Sequence, residues 1–370
     1  MKVLVVNTVP TEKNGVTNVI FNYLETIDHQ NIQMDVLMIN DAESSYKERV
    51  SRCGGKSFFI KRTSTHILSY LKKLIQLIKT ERYDAVHIHG NSHTMVLELL
   101  AAKIANCNVR ITHSHNTTCS NVTFHKLLTP LFNCLYTNGF ACGEDAGIWL
   151  YGKKPFTIIN NGIDTNRFAF NLDSRISIRR KHQISDEEML IGNVGHFWGG
   201  VKNQAFVVKV FRELFKKDNR YRLCLIGDGS TRATIEEKVA EYGLKDQVIF
   251  TGNINNVNEY LNALDLILMP SIYEGLPLTL VEQQANGLRC VVSDAITKEA
   301  DKSGNISFVS LSNDASQWAS IIEKTKTDTN HERRLRSIAA ISRIKIEGYS
   351  IQEESKKLLN YYRTFIGDRG

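Results

Sequence analysis

The stretch LDLILMPSIYEGLPLTLVEQQANGLRCVVSD, residues 264–294, holds a complete unit of an α/β protein. It opens with a short apolar run, LDLILMPS, and passes through a turn with glycine and proline into TLVEQQANG, which has the pattern of a helix. A second apolar run, RCVVSD, follows. Strand, helix and strand in this order predict two parallel strands joined by a crossover helix.

The same alternation extends from this stretch in both directions. Further strands are predicted at MLIGNVGHF, RLCLIGDG, QVIFTGN and ISFVSL, with helices that begin near Lys202, Arg232, Val257, Thr279 and Ala315. An earlier series, KVLVV, QMDVLMI, DAVHIHG, VRITHSH and GFACGE, also alternates with helical patterns. We therefore predict an α/β protein with two doubly wound, Rossmann-like domains.

A polar, charge-rich stretch at residues 171–188 separates the two series. We place a first domain at 1–170 and a second at 186–349, and we expect the linker around 165–185 to act as a hinge. The length of 370 residues agrees with two domains, because single hydrophobic cores rarely grow so large. Open sheets of this kind bind ligands beyond the carboxyl ends of their strands, so we expect the site in a cleft between the domains.

The composition is that of an ordinary folded protein, with 42% hydrophobic residues, 23% charged residues and a formal net charge of +7. The opening MKVLVVNTVP is too short and too interrupted for a signal peptide, and no run approaches the length of a membrane span. Seven scattered cysteines lack the spacing of a metal site. We predict a cytoplasmic protein that is not integral to a membrane and has no nucleic-acid partner.

One loop of the second domain is suited to an anionic ligand. Gly199 and Gly200 form a flexible pair, and Lys202 follows at the expected start of a helix. A lysine beside the amides of a helix N-terminus suits a diphosphate group. A solvated lysine in a first helical turn is the simpler alternative.

Two carboxylates lie in the stretch at residues 264–294. The turn places Glu274 above the end of a strand, and Glu282 falls on the first turns of the following helix, where it can reach a ribose diol. The amides around Leu278 and Thr279 are suited to cradle phosphate. Each carboxylate also has a simpler explanation. Glu274 could be an ordinary turn residue, and Glu282 could be a helix residue stabilised by the helix dipole.

The first domain offers a weaker set of candidates. Gly15 follows Asn14 where the first strand gives way to a helix, and a glycine there allows a phosphate or sugar to approach the backbone. Most glycines in such turns only turn the chain, so this position is informative only together with the others.

Four histidines cluster at two predicted strand ends. The two-residue period of a strand puts His87 and His89 on one face, and likewise His113 and His115. We reject a zinc site, because strand-end histidines without nearby cysteine or carboxylate ligands are more often hydrogen-bonded polar groups. Acidic residues are not grouped as a magnesium site requires either, so we expect no metal.

These loops, in this order, resemble the retaining glycosyltransferases of family 4, which have the GT-B fold. The segment around Glu274 and Glu282 is similar to the E-x7-E motif of that family. The likeness also covers the N-terminal glycine loop, DAVHIHG, RITHSHN, INNGIDTNRF, VGHFWGGVKN, LIGDG and FTGNINNV. The segments HSHN and VVSDAITKEA resemble enzymes of capsule and exopolysaccharide assembly in particular.

The resemblance implies roles for individual residues. Glu274 would contact hydroxyls of the donor sugar, and His113 would lie near the reacting sugar, with His89 and His115 on the acceptor side. The implied donor and nucleotide contacts are Gly15, His196, Lys202, Asn253, Ile254, Leu278, Thr279 and Glu282. His196 stands where many relatives carry an arginine, which leaves more of the diphosphate interaction to Lys202.

The activity implied is transfer of a sugar, with retention, from a UDP-linked donor to a glycan or a polyprenyl-diphosphate-linked acceptor, without metal or cofactor. The C-terminal helix, residues 350–370, would pack back on the first domain. An epimerase or hydrolase of the same fold and a non-catalytic nucleotide-sugar sensor remain as alternatives.

An amphipathic segment at residues 66–84 alternates leucine and isoleucine with lysine. It directly precedes a strand, so a crossover helix packed on the sheet explains most of its pattern. A shallow contact with an anionic membrane, at the inner face of the cell membrane, is the alternative.

Overall fold

The computed structural model describes residues 1–12, 14–325 and 328–367. The chain forms two compact units: Met1–Gly162 together with the segment that begins at Gly348, and Ile163–Glu347. The last three residues of the helix predicted at 350–370 lie outside the described residues. Among the described residues, no helix has the length and apolar character needed to cross a membrane.

The first unit is built on a seven-stranded parallel sheet in the order β3-β2-β1-β4-β5-β6-β7. Its strands are β1 (Lys2–Asn7), β2 (Gln33–Met38), β3 (Ser57–Phe59), β4 (Ala85–His89), β5 (Val109–Ser114), β6 (Asn138–Ala141) and β7 (Thr157–Ile158). Its helices are α1 (Gly15–Thr26), α2 (Ser44–Arg52), α3 (Ile67–Glu81), α4 (Val96–Ile104), α5 (Val122–Leu127), α6 (Thr129–Leu135), α7 (Glu144–Tyr151) and α15 (Ile351–Ile366).

The second unit is built on a six-stranded parallel sheet in the order β10-β9-β8-β11-β12-β13. Its strands are β8 (Met189–Val194), β9 (Tyr221–Ile226), β10 (Val248–Gly252), β11 (Leu266–Met269), β12 (Arg289–Ser293) and β13 (Ile306–Val309). Its helices are α8 (Leu172–Lys181), α9 (Gln204–Lys217), α10 (Arg232–Glu241), α11 (Val257–Ala263), α12 (Leu278–Ala285), α13 (Ala315–Glu323) and α14 (Asn330–Ile346).

The predicted fold class is confirmed, since both sheets are parallel and each is connected through helices. In each sheet the strand order reverses once, between β1 and β4 in the first unit and between β8 and β11 in the second. At such a point the loops leave the two neighbouring strands toward opposite faces, which opens a crevice beyond their carboxyl ends. The geometry of each sheet therefore points to these loops as binding sites.

The polar stretch that we expected to be a linker forms helix α8 of the second unit. Asp265 accepts hydrogen bonds from Arg175 and Arg179 of that helix, at 2.6 Å and 3.0 Å. Residues 163–170 also belong to this unit, where the amide of Phe170 donates to Ser337 at 3.0 Å. The arginines made the stretch look solvated, but their partner lies about 90 residues further along the chain.

Helix α15 is part of the first unit. Tyr362 is fully buried, and its hydroxyl lies 2.5 Å from Nδ1 of His87 on β4. Glu354 accepts a hydrogen bond from the amide of Asn160 at 2.8 Å, and Lys357 donates to the carbonyl of Ile158 at 2.7 Å. Helix α15 is thus fixed to the sheet that carries the four histidines.

We expect Tyr362→Phe to lower the free energy of unfolding by about 1 to 2 kcal/mol, because it leaves a buried histidine nitrogen without its partner. Denaturant unfolding of the purified protein measures the change. Tyr361→Phe, on the same helix, is the matched control and should shift stability by less than about 0.5 kcal/mol. Equal effects of the two substitutions would show that the Tyr362 hydroxyl does not stabilise the unit.

Candidate active site

Lys202 lies in the loop that follows β8, at the point where the strand order of the second sheet reverses. Gly199 and Gly200 have φ angles of 60° and 72°, a region that favours glycine, so the loop turns sharply before α9. A Cβ atom on Gly195 would come within 2.8 Å of Cγ of Lys202. Glycine at 195 therefore lets the stem of Lys202 lie directly against the backbone.

Glu274 follows β11, the neighbour of β8 across the reversal, and its carboxylate forms an ion pair with Nζ of Lys202. The amide of Ile272 donates to the carbonyl of Val201 at 2.8 Å, which joins the two loops through their backbones. Only 18% of the Lys202 side chain and 16% of the Glu274 side chain are exposed, so water screens the pair weakly. The structure thus brings together two residues that the sequence assigned to separate roles.

Helix α12 begins just beyond Glu274 and has no side-chain cap at its N-terminus. Its first intrahelical bond is donated by Leu280 to the carbonyl of Pro277, so the amides of Leu278 and Thr279 precede the bonded part of the helix. The hydroxyl of Thr279 is buried and has no hydrogen-bond partner among the described residues. These groups match the cradle for phosphate that the sequence predicts.

Glu282 lies one turn further along α12 and is half-buried. Burial raises the pKa of its carboxyl to about 8, and the nearby charge of Arg167 opposes this shift only in part. The carboxyl is therefore largely protonated at neutral pH in the free protein.

Several polar atoms that the sequence did not single out lie around the same strand ends. Oδ1 of Asn193, the hydroxyl of Ser271 and Oε1 of Gln283 are buried, and none has a hydrogen-bond partner among the described residues. Asn193 is the next-to-last residue of β8, Ser271 lies two residues beyond the end of β11, and Gln283 is on α12. Buried polar atoms are normally paired, so their concentration here indicates a ligand that would satisfy them.

Arg167 connects Glu282 to the loop predicted to approach the base. Its Nη2 donates to the carbonyl of Asn255 at 2.9 Å, while Asn253 in the same loop is exposed and Ile254 is half-buried. Sequence reasoning missed Arg167, although it lies in the quoted segment INNGIDTNRF. The signal in the sequence was a basic residue within a segment of mostly small polar residues.

His196 is exposed, and its carbonyl accepts a hydrogen bond from Nε2 of Gln204 at 3.0 Å. The backbone of this residue is therefore fixed to the start of α9. Its proposed contact with the donor stays a prediction.

In the first unit, Gly15 is the first residue of α1, and Asn14 caps the helix by accepting from the amide of Thr17 at 2.9 Å. A Cβ atom on Gly15 would meet nothing within 4 Å. The position is thus open, and packing does not require the glycine.

The four predicted histidines form one stack at the carboxyl ends of β4 and β5. Nδ1 of His89 lies 2.8 Å from Nε2 of His115, whose other nitrogen is 3.2 Å from Oδ1 of Asn161. His113 is completely buried, and neither of its ring nitrogens has a partner among the described residues. Burial lowers the pKa of His115 to about 4 and holds the pKa values of His87, His89 and His113 well below the usual range. The stack is therefore neutral at physiological pH.

Ligand atoms of His87, His89 and His113 lie within 4.8 Å of one another, a spacing at which three histidines can hold a metal ion. The rings of His87 and His113 are stacked, however, with planes only 4° apart and centroids 5.3 Å apart. A metal lies in the plane of each imidazole that binds it, and stacked parallel rings do not direct their lone pairs to one point. A site without metal stays our prediction.

Comparison with known proteins identifies this arrangement. The model for "Glycosyltransferase Family 4" matches residues 13–167, and that for "Glycosyl transferases group 1" matches residues 174–341. A Bacillus subtilis protein named as the glycosyltransferase EpsF is 31% identical, over 95% of this chain and 93% of its own length. The chain belongs to glycosyltransferase family 4. The predicted family and the hexosyltransferase class of the enzyme are thereby confirmed.

Two further relatives of this glycosyltransferase are named for a capsular polysaccharide and for a lipid-linked acceptor. The Staphylococcus aureus capsular polysaccharide biosynthesis glycosyltransferase CapH is 27% identical, over 71% of this chain and 74% of its own length. An Escherichia coli UDP-Gal:alpha-D-GlcNAc-diphosphoundecaprenol alpha-1,3-galactosyltransferase is 26% identical, over 60% of this chain and 61% of its own length. Capsule-type and exopolysaccharide-type relatives are therefore confirmed.

The crystal structure of Anabaena HepE in complex with UDP and glucose has the same fold, with a TM-score of 0.78. It is 16% identical and covers 98% of this chain and 100% of its own. The GT-B fold of the family 4 enzyme is thereby confirmed.

We expect UDP to bind this glycosyltransferase more tightly as the pH rises through about 8. A ribose diol that donates two hydrogen bonds requires the Glu282 carboxylate, and below pH 8 binding must first remove its proton. Linkage makes the apparent Kd about tenfold larger at pH 7 than at pH 9. Calorimetric titration with UDP across this range measures the dependence, and Glu282→Gln should abolish it. A variant with the wild-type slope would show that another group titrates.

Proposed function

We propose that this family 4 enzyme transfers a hexose from a UDP-linked sugar to a glycan or polyprenyl-diphosphate-linked oligosaccharide in polysaccharide biosynthesis. The observation that carries the proposal is the ion pair of Lys202 and Glu274 at the strand reversal of the second sheet, next to the uncapped start of α12. This arrangement offers a cation and helix amides to a diphosphate and a carboxylate to sugar hydroxyls. The reaction takes place at the cytoplasmic face of the cell membrane.

Before the donor binds, Lys202 and Glu274 form an ion pair with each other. The diphosphate competes with Glu274 for Lys202, so donor binding frees the carboxylate to accept hydrogen bonds from hydroxyls of the sugar. The amides of Leu278 and Thr279 and the hydroxyl of Thr279 complete the phosphate contacts. Fixed charges and amides stabilise the negative charge that develops on the leaving UDP, without a metal ion.

The remaining residues of the donor site hold the nucleoside. Glu282 binds the ribose diol, and Arg167 holds the loop of Asn253 and Ile254 that approaches the base. His196 donates to phosphate in place of the arginine of many relatives. UDP is bound in the HepE structure, and the E. coli relative is named for a UDP-linked donor, which supports a UDP-linked donor here.

The acceptor side is assigned to the first unit. His115 is half-buried and contacts the acceptor, and the buried rings of His89 and His113, which lie against it, position it for the reacting sugar. The open position at Gly15 admits the donor phosphate or sugar. Neutral imidazoles exchange hydrogen bonds with hydroxyl groups without attracting the diphosphate away from Lys202.

Transfer proceeds with retention of the anomeric configuration. The acceptor hydroxyl attacks on the face from which UDP departs: its oxygen forms the new bond to the anomeric carbon as the bond from that carbon to the β-phosphate oxygen breaks. The proton of the hydroxyl passes to the β-phosphate. This route needs no carboxylate nucleophile at the anomeric carbon, whereas double displacement does.

The function is tested with a panel of nucleotide sugars. We expect UDP-sugars, and one hexose in particular, to raise the melting temperature more than ADP- or GDP-sugars, because ligands of the native state stabilise it. With that donor and an undecaprenyl-diphosphate-linked sugar, the product should keep the anomeric configuration of the donor by NMR, and EDTA should leave the rate unchanged. Consumption of donor at the same rate without acceptor would favour a hydrolase or epimerase, and binding without turnover would favour a sensor.

Substitutions at Glu274 and Lys202 should affect different kinetic constants. We expect Glu274→Gln to lower kcat by about 100-fold or more while UDP binds at least as tightly, because Lys202 loses its competing partner. Lys202→Met should weaken UDP binding and raise the KM for the donor.

Lys209→Met, at an exposed position on helix α9, is the matched control and should change neither quantity. Equal loss of turnover and UDP affinity in Glu274→Gln would remove its assigned role. Unchanged donor kinetics in Lys202→Met would place that lysine outside the site.

A further inference from the structure

Four large apolar side chains are exposed on the two loops that carry the ion pair of the second unit, and we name them the aromatic rim: Trp198, Val201, Ile272 and Tyr273. The first two lie in the loop after β8, before Lys202, and the last two lie in the loop after β11, before Glu274. Trp198 is 62% exposed and Tyr273 is 61% exposed. Single exposed apolar residues are ordinary, but a group on adjoining loops marks an interaction surface.

The two halves of the rim are held together by hydrogen bonds between the loops. The amide of Ile272 donates to the carbonyl of Val201 at 2.8 Å, and Nδ2 of Asn203 donates to the carbonyl of Pro270 at 3.1 Å. Each of these bonds joins the loop after β8 to the loop after β11. The four side chains of the rim therefore lie on one part of the surface.

Trp198 is fixed by a third loop, which follows β9. The amide of Phe197 donates to the carbonyl of Asp228 at 3.0 Å, and the carbonyl of Phe197 accepts from the amide of Thr231 at 2.9 Å. A Cβ atom on Gly229 would come within 2.5 Å of Cδ1 and Nε1 of Trp198. Glycine at 229 therefore lets one edge of the indole rest on the backbone while most of the ring faces solvent.

The indole N–H group distinguishes Trp198 from the other two tryptophans of the chain. Trp149 donates to the carbonyl of Asn91 at 2.9 Å, and Trp318 donates to the carbonyl of Ser310 at 3.1 Å. Nε1 of Trp198 has no hydrogen-bond partner among the described residues. An aromatic ring with one packed edge, an open surface and a free donor suits a ligand that is both apolar and polar.

A pyranose ring is a ligand of this kind. One face of the ring carries C–H groups with a small positive charge, and its edge carries hydroxyl groups. The negative face of an indole attracts the C–H groups, because aromatic rings have a quadrupole. The indole N–H and the hydroxyl of Tyr273 can donate to the hydroxyl groups of the sugar.

The rim borders the position proposed for the donor sugar. The side chains of Lys202 and Glu274 are largely buried, whereas those of Trp198 and Tyr273 are largely exposed on the same loops. A sugar held by Glu274 therefore adjoins the rim. In the proposed transfer the acceptor oxygen forms a bond to that sugar, so the acceptor must lie directly against it.

We propose that the aromatic rim binds a sugar ring of the acceptor glycan, which stacks on Trp198 while Tyr273 donates to one of its hydroxyl groups. This inference rests on the proposed function, because it takes Glu274 to hold the donor sugar and the acceptor to carry a sugar. It adds a contribution of the second unit to acceptor binding, which the proposed function assigns to the first unit.

The base of the donor and a second copy of the chain are poorer occupants of the rim. The loop assigned to the base follows β10, at the edge of the sheet and two strands from β8. A stable dimer interface takes roughly 20 to 30 residues from each partner, far more than the rim supplies.

The first test uses the fluorescence of the full-length protein with UDP bound. Trp318 is fully buried and Trp149 is half-buried, so acrylamide quenches mainly Trp198. We expect at least one of the methyl glycosides of glucose, galactose and N-acetylglucosamine to lower the quenching constant about twofold by covering the ring. UDP alone should leave the constant unchanged. Protection by UDP alone would assign the rim to the nucleotide instead, and no protection by any of the three glycosides would overturn the proposal.

The second test measures transfer to the undecaprenyl-diphosphate-linked sugar that the wild type accepts. Trp198→Ala should raise the KM for the acceptor about tenfold, because the stacked ring is lost, and should leave the KM for the donor unchanged. Trp198→Phe should recover most of the loss, whereas Trp198→Leu, which is apolar but not flat, should not. Tyr273→Phe should raise the acceptor KM about threefold, because it removes one donor.

Leu335→Ala is the matched control, because Leu335 is exposed on α14 of the same unit. It should leave both KM values unchanged. A wild-type acceptor KM in Trp198→Ala would overturn the proposal, and equal recovery by the leucine and phenylalanine variants would overturn the stacking. A raised donor KM with an unchanged acceptor KM would assign Trp198 to the donor.

Thermal stabilisation by UDP, measured on every variant, separates this inference from the proposed function. A raised acceptor KM with unchanged UDP stabilisation supports the rim, since the chain is then folded and its donor site intact. A wild-type protein that neither binds UDP nor transfers a sugar would overturn the proposed function. If UDP binding and transfer are intact and the rim variants keep the wild-type acceptor KM, the inference about the rim alone fails.

Discussion

The ion pair between Lys202 and Glu274 depends on the strand order of the second sheet. The order reverses between β8 and β11, so the loops that follow these strands border one crevice, and each contributes one member of the pair. Gly195 allows the lysine stem to lie on the backbone, and the bond from Ile272 to Val201 holds the two loops together. A change in any of these features would move the two charges relative to each other.

The two units carry different kinds of polar group at corresponding places in their sheets. The second unit presents a lysine, a carboxylate and free helix amides, which suit a diphosphate and its sugar. The first unit presents a stack of imidazoles that burial keeps neutral, as the lowered pKa values of His113 and His115 show. Neutral imidazoles are suited to exchange hydrogen bonds with hydroxyl groups, whereas a cation and helix amides are suited to a diphosphate. The proposed assignment of the donor to the second unit and the acceptor to the first agrees with this difference in charge.

The parallel sheets and most helix starts were predictable because they depend on local periodicity. Helices predicted near Arg232, Val257 and Ala315 begin at those residues. The local sequence pattern does not show which residue pairs with a charged group. The arginines of α8 looked solvated because their partner, Asp265, is distant in sequence, and the contact between Lys202 and Glu274 depends on two loops that only the sheet brings together.

The two places where the chain passes between the units share a feature that bears on the expected hinge. Gly162 and Gly348, the last and first residues of the first unit at these places, lie close together within it. Nδ2 of Asn160 donates to the carbonyl of Gly348 at 3.1 Å, and a Cβ atom on Gly162 would come within 2.7 Å of Cα of Ile351. Gly348 also has a φ angle of 80°, which favours glycine. Helix α8 lies within the second unit and is fixed by its arginines to Asp265. The hinge expected around residues 165–185 stays a prediction.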